Sequence, residues 1–196
     1  MRKVLLIGYG SIGRKYLSLL IKVKQITDVY IYTKQRIDET KKVKKINLNS
    51  FKKINPHLII IANQTSLHFK TINFIEKNFS KKIVLVEKPL FDKYLRQKIK
   101  YNSYYIAYNL RFHPVLKKIK KLIAKQELWY VQIKQSSYLP EWRKNINYKY
   151  STSALKSKGG GVLLELSHEI DLALKLFGKI DILNSHIINS GLLEIL

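Results

Sequence analysis

Gly8-Tyr9-Gly10-Ser11-Ile12-Gly13 carries the first chemistry that can be read from the chain. Glycines at this spacing, after an apolar run and before a helical one, make a cradle for phosphates. Gly8 permits a tight turn, Gly10 lets the backbone come close to a pyrophosphate, and Gly13 lets the helix pack on the strand. The amides of Ser11, Ile12 and Gly13, which open that helix, then face the phosphates. About twenty residues on, an acid at the end of the second strand would bind a ribose 2′-hydroxyl. The chain has Thr33, Lys34 and Arg36 there, a hydroxyl and two cations better suited to a 2′-phosphate. NADP(H) is therefore expected in preference to NAD(H). A glycine turn without a ligand is the bland alternative, and the strand–turn–helix setting weighs against it.

The elements around this turn alternate. Residues 3–7 read as a strand, the helix after the glycines runs to about Val23, and Val29–Tyr32 is a second strand. A lysine-rich stretch follows. Leu58–Ala62 is an apolar run typical of a strand covered on both faces. A helix over 67–79, a strand at Ile83–Val86 and another at Tyr104–Tyr108 complete the pattern, which implies a parallel sheet with right-handed crossovers. After Arg111 the texture changes. A helix over 115–125 leads to an alternating strand, Trp129 to Tyr138, then to a polar loop from Leu139 to Lys158. Gly159-Gly160-Gly161 opens an apolar helix to Phe177, which Gly178 stops. The tail from Lys179 resembles strand material. The expected class is α/β: a Rossmann-type parallel sheet over 1–110, followed over 111–196 by an incomplete α+β second domain with an open sheet.

Composition narrows the function classes. Of 196 residues 46% are hydrophobic and 26% charged, enough apolar material for a core. No run approaches the roughly 18 apolar residues of a membrane span. The absence of cysteine excludes disulfides, thiolate metal sites and a cysteine nucleophile. With 37 Lys+Arg against 13 Asp+Glu the net charge is +24, which invites a nucleic-acid reading. The cations are spread along the whole chain and few are arginine, so a lysine-coated surface is expected rather than a specific nucleic-acid partner. The basic amphipathic segment Val115–Ile123 is read as a packing face in preference to an anionic-membrane face. His57, His113 and His186 share no ligand spacing with His168, and no metal is expected.

Glu87-Lys88-Pro89 at the end of a buried strand adds a more specific signal. With the glycine fingerprint it resembles the Gfo/Idh/MocA family of NAD(P)-dependent oxidoreductases. Three further segments agree, in family order: Asn63-Gln64-Thr65-Ser66-Leu67-His68, Asn109-Leu110-Arg111-Phe112-His113-Pro114, and Gly159-Gly160-Gly161 leading to His168-Glu169-Ile170-Asp171. The resemblance implies that Asn63, Glu87 and Lys88 join the cofactor site. It also implies that Lys88 lies beside the nicotinamide and the substrate hydroxyl, where its ammonium would stabilise developing charge. His168 would be the general acid/base, a role open to a group titrating near neutrality. Glu165 precedes it by three residues and would share its helical face, one residue short of the usual spacing. Asp171 would orient the imidazole or shape the sugar site. Asn109 and Arg111 would bind substrate or fasten the domains together. Trp142 and Arg143 would line the cleft, with packing an equal reading for Trp142. His68 is expected to cap or pack, and Pro89 to form a turn or a cis peptide.

The family's substrate class implies a sugar or sugar derivative as small-molecule partner and hydride transfer as the reaction. The Leu139-Pro140-Glu141-Trp142-Arg143 loop resembles members found with bacterial surface-polysaccharide and nonulosonic-acid biosynthesis. A cytoplasmic location and, if the second sheet permits, a homo-oligomer are expected. Family members are longer, so the chain reads as shortened in its second domain, as a truncated gene product or as a protein completed by a partner. A catalytically silent nucleotide-binding fragment is thus the alternative to an active enzyme.

Overall fold

The computed structural model describes residues 2–142, 147–186 and 188. The chain divides into two compact units, Met1–Ala107 and Tyr108–Leu196.

In the first unit, β1 (Arg2–Ile7), β2 (Ile26–Tyr32), β3 (Val43–Ile46), β4 (Leu58–Ile61), β5 (Ile83–Val86) and β6 (Ser103–Ile106) form one sheet. All neighbours are parallel and the order is β3-β2-β1-β4-β5-β6. Side chains alternate along each strand, so the apolar runs supply two faces at once. Leu5, Ile7, Ile59, Ile61, Val84 and Val86 belong to one core cluster with Phe51, Ile72, Ile75 and Phe79. Val4, Leu6, Val29, Ile31 and Ile60 belong to the other, with Leu20 of the helix α1 (Ser11–Leu20). Each such side chain contributes roughly 1.5–3 kcal/mol by leaving water. Ile72 and Ile75 lie on the helix α2 (His68–Asn78).

Register places the site. Ile7 pairs with Tyr32 on one side and Ile61 on the other, Ile61 with Val86, and Val86 with Ile106. The residues that follow these strand ends therefore share the carboxyl edge of the sheet. Strand order reverses between β1 and β4, the place where doubly wound sheets open a ligand crevice. Strand β3 is an addition to the sequence reading. Its Val43 is buried, while Lys44 and Lys45 are exposed on an edge strand, where lysines discourage pairing with another chain. That composition hides the strand inside a lysine-rich stretch.

The second unit holds α3 (Pro114–Ile123), α4 (Val162–Glu165) and α5 (Ser167–Phe177), joined by turns. Pro114 occupies the first turn of α3, and the His113 ring accepts from the Val115 amide at 3.3 Å. Two expectations are corrected. The segment from Trp129 to Tyr138 is irregular, and among the described residues this unit has no strand. An alternating sequence needs a partner to satisfy its backbone groups, and no described strand of this unit offers one. The helix expected from Gly161 to Phe177 is interrupted at Leu166, whose backbone (φ −99°, ψ 26°) leaves the helical region. Residues 179–186 are also irregular. No helix among the described residues is long and apolar enough to cross a membrane.

Candidate functional site

The glycine turn leaves β1 with Gly8 donating its amide to Tyr32 O at 3.0 Å, which sets the turn beside the end of β2. Gly8 has φ +100°, and a Cβ there would lie 2.5 Å from the backbone of Ala62 and Asn63. A Cβ on Gly13 would lie 2.4 Å from Gly8 O. Both glycines are thus required by the protein's own packing. Gly10 differs, because nothing lies within 4 Å of its Cβ position. It caps α1 without a side-chain hydrogen bond. The first-turn amides of Ser11, Ile12 and Gly13 carry the unpaired donors of a helix start, and a Cβ at residue 10 would intrude only on something outside the protein. The geometry fits a pyrophosphate.

At the end of β2 the Thr33 hydroxyl accepts from the Gln35 amide at 3.1 Å, a local turn that leaves the hydroxyl proton free to donate. Lys34 and Arg36 are exposed. Two cations absent from the sequence reading join them. Arg14 donates to Gln35 Oε1 at 3.2 Å and lies 5.5 Å from the Tyr9 ring centroid, while Lys45 Nζ donates to Gln35 O at 2.6 Å. Arg14 directly follows the last glycine, a position that could have flagged it. Lys45 could not be found, because it belongs to the unanticipated β3.

Asn63 and the Glu87-Lys88-Pro89 turn stand on the same carboxyl edge. Glu87 N donates to Ile61 O at 2.9 Å, and the Lys88–Pro89 bond is cis. Asn63 Nδ2 donates to Thr71 at 2.9 Å, whereas its Oδ1 is buried and accepts nothing within the protein. An acceptor left open at this crevice suits a donor on a bound molecule, since leaving it unmet costs about 1–3 kcal/mol. His68, fully buried, packs as expected and also ties segments together. Its Nδ1 lies 3.1 Å from both Pro89 O and Leu90 O, and its Nε2 lies 3.2 Å from Asn63 O. Burial pulls its imidazole below the ordinary 6.5, only partly offset by those carbonyls.

In the second unit, Tyr108, the Asn109–Phe112 turn and α5 meet. Arg111 Nε donates to both Asp171 oxygens, at 3.0 and 2.8 Å, and its Nη2 also reaches Oδ1. The pair is a fork against a carboxylate that is only 6% exposed. Arg111 also sits 5.7 Å from the Tyr108 ring centroid. Tyr108 meets His168 edge to face at 5.6 Å between ring centroids, and its hydroxyl donates to Ser167 Oγ at 3.4 Å. His168 is the second residue of α5 and Glu165 the last of α4. The break at Leu166 separates them, so three-residue spacing does not give them one helical face. Asn109 is exposed, and Trp142 Nε1 donates to Ser137 Oγ. Arg143 lies outside the described residues. The triple glycine has conformational causes: Gly159 and Gly161 take φ +80° and +124°, and a Cβ on Gly160 would meet Thr152 O at 2.3 Å.

No protein-family model matches the chain, and no curated protein sequence matches it. Solved structures do. A WlbA (WbpB) dehydrogenase from Thermus thermophilus, in complex with NAD and UDP-GlcNAcA, superposes with a TM-score of 0.64 at 19% identity, covering 91% of this chain and 64% of that one. The WlbA dehydrogenase from Bordetella pertussis, with NADH and UDP-GlcNAcA, gives 0.63 at 14%, covering 90% and 58%. An NAD-binding protein from Listeria innocua gives 0.60 at 16%, covering 89% and 54%. The fold of this chain is the fold of these proteins, and the chain spans less than two thirds of the length of each.

Proposed function

We propose that the chain is a nicotinamide-dependent oxidoreductase of the Gfo/Idh/MocA type, passing a hydride between a carbon of a sugar derivative and nicotinamide C4. The observation that carries this reading is the carboxyl edge of the sheet. A phosphate cradle with open space over Gly10, an unmet acceptor at Asn63 and the Glu87-Lys88-Pro89 turn stand there side by side. The bound nicotinamide would supply the acceptor or donor of hydride at C4. Ser11, Ile12 and Gly13 would hold the pyrophosphate through their amides, and Asn63 and Glu87 would join the cofactor site. In the oxidative direction the His168 imidazole would take the substrate O–H proton as the carbonyl forms. Lys88 would donate to that oxygen throughout and stabilise its partial negative charge. Asn109 and Trp142 are proposed to bind the sugar. Arg111 and Asp171 already hold each other, so we assign them to fixing α5 and, through it, His168.

NADP(H) is proposed over NAD(H), on the ground that Thr33, Arg14 and Lys45 meet at Gln35, which stands between the exposed Lys34 and Arg36 at the end of β2. The similar structures that hold NAD or NADH make this the sharpest comparison. Titrating the protein with NADPH and NADH by fluorescence should give the tighter constant for NADPH, and tighter NADH binding would sink the preference. Because UDP-GlcNAcA is bound in two similar structures, a nucleotide-linked sugar acid is the first substrate to assay. Turnover should fall at least about a hundredfold in Lys88→Ala, and unchanged turnover would remove Lys88 from the mechanism. A second reading, a nucleotide-binding chain without turnover of its own, is favoured by the absence of any strand among the described residues of the second unit. Tight NADPH binding with no hydride transfer to any keto-sugar would establish it.

A further inference from the structure

Tyr16 stands on α1 three residues after Gly13, on the helix proposed to hold the cofactor phosphates, yet its hydroxyl serves a different element. It donates to Glu87 Oε1 at 2.6 Å. The other carboxylate oxygen, Oε2, accepts from the Lys88 amide at 3.3 Å. On its other side the same turn is held by His68 of α2, through the carbonyls of Pro89 and Leu90. The segment that carries Lys88 therefore has two anchors, one from each of the first two helices. Neither anchor is a residue of the Glu-Lys-Pro motif itself.

We propose that Tyr16 is a positioning residue for Lys88, acting through the Glu87 carboxylate, and that this contact couples the phosphate-binding helix to the lysine-bearing turn. The proposal rests on the reading of Lys88 as the group beside the substrate oxygen. Burial and the adjacent carboxylate push the Tyr16 phenol above its ordinary value of 10.0, so it remains protonated and donating around neutrality. With Tyr16 donating to one oxygen and the Lys88 amide to the other, Glu87 is restrained at both ends of its carboxylate. A carboxylate held at both oxygens fixes the backbone from which the Lys88 side chain leaves, and with it the surroundings of the ammonium. A packing role alone would require the ring of Tyr16 and not its hydroxyl, which gives the test its form.

The test uses the full chain with 13C-labelled lysine, the Lys88 Cε signal being assigned by its loss in Lys88→Arg. Tyr16→Phe keeps the ring and removes the donor. The expected result is a shift of the Lys88 titration by about half a unit or more, absent when the same change is made in a Glu87→Gln background, as coupling through Glu87 requires. Binding of NADH and NADPH should stay within about twofold, because the amides of α1 are untouched. Where the wild type turns over, kcat should fall about tenfold with the cofactor KM unchanged. Superposable Lys88 titrations in the wild type and Tyr16→Phe would overturn the proposal, as would an equal shift in the Glu87→Gln background. The titration needs no turnover. An inert wild type that still shows the coupling would refute the catalytic reading of Lys88 while leaving the positioning contact in place.

Discussion

Gly10 and Gly13 stand three positions apart and answer to different partners. Gly13 faces Gly8 O, so a methyl group there must displace the helix from the strand. Gly13→Ala should cost about 1–3 kcal/mol, read as a lowered thermal midpoint with or without cofactor. Gly10 faces open space, and Gly10→Ala should leave that midpoint nearly unchanged while weakening nucleotide binding about tenfold or more. If both variants lose stability equally, the space over Gly10 is not a phosphate approach. His68 supports a third expectation. Its imidazole is buried with a lowered pKa, so it contributes stability fully above the unfolded value of about 6.5. That contribution fades as pH falls below this value toward the folded pKa, because the unfolded chain takes up the proton more readily. Denaturant midpoints measured from pH 7.5 to 5 should fall in the wild type. They should fall less in His68→Leu, which itself should be less stable at pH 7.5 by about 1–3 kcal/mol because the carbonyls around the ring lose the one N–H that a neutral imidazole donates.

Among elements, α2 has a second task besides covering the sheet. Its Glu76 accepts from the amides of Lys100 and Tyr101 at 2.9 and 3.0 Å, from Asn102 Nδ2 at 2.7 Å and from the Tyr104 hydroxyl at 2.9 Å. One carboxylate thereby fastens the irregular chain before β6 to the helix. Burial alone would raise its pKa, but the donors outweigh burial and hold it below the ordinary 4.5. The stability this adds is complete above about pH 4.5 and is lost as pH falls through the lowered folded value. Glu76→Gln should therefore cost about 1–3 kcal/mol at pH 7 and should flatten the acid limb of the stability profile below pH 5. Hydrogen exchange should quicken at residues 100–104 and leave β1 and β4 unchanged; uniform quickening would argue against a local clamp. The element reading of the sequence succeeded for β1, β4 and β5, whose continuous apolar runs leave no other home. It missed β3, whose lysines hide an edge strand, and it joined α4 to α5, because no residue type marks the break at Leu166.

At the scale of the whole molecule, charge and exposed apolar surface oppose each other. A net charge of +24 keeps copies apart at low salt. Yet Trp129 and Tyr130 are 90% and 79% exposed, and α3 has no buried residue despite its apolar stripe. The packing-face expectation for α3 therefore finds no burial among the described residues. Raising ionic strength shortens the screening length to about 8 Å at 0.15 M and should promote self-association, seen as rising light scattering between 0.02 and roughly 0.5 M salt. Scattering that instead falls with salt would indicate that attraction between charges drives association.

Several features were determined by the sequence alone. The alternation of apolar runs and helical segments requires a two-faced parallel sheet, because such strands cannot leave either face in water. The glycine spacing after the first strand points to a tight turn that brings helix and strand close, because glycine carries no Cβ. These are local and periodic properties, legible wherever neighbours in sequence are neighbours in space. Only the tertiary structure decided that Arg14 and Lys45 meet at Gln35, that Arg111 belongs to Asp171 and that Tyr16 reaches Glu87. Those pairs are separated by 10 to 71 positions and come together through strand order and helix packing. Nothing in the residue types selects one such partner over another. The structure also showed that one glycine of the fingerprint, Gly10, has open space where a Cβ would lie, unlike Gly8 and Gly13.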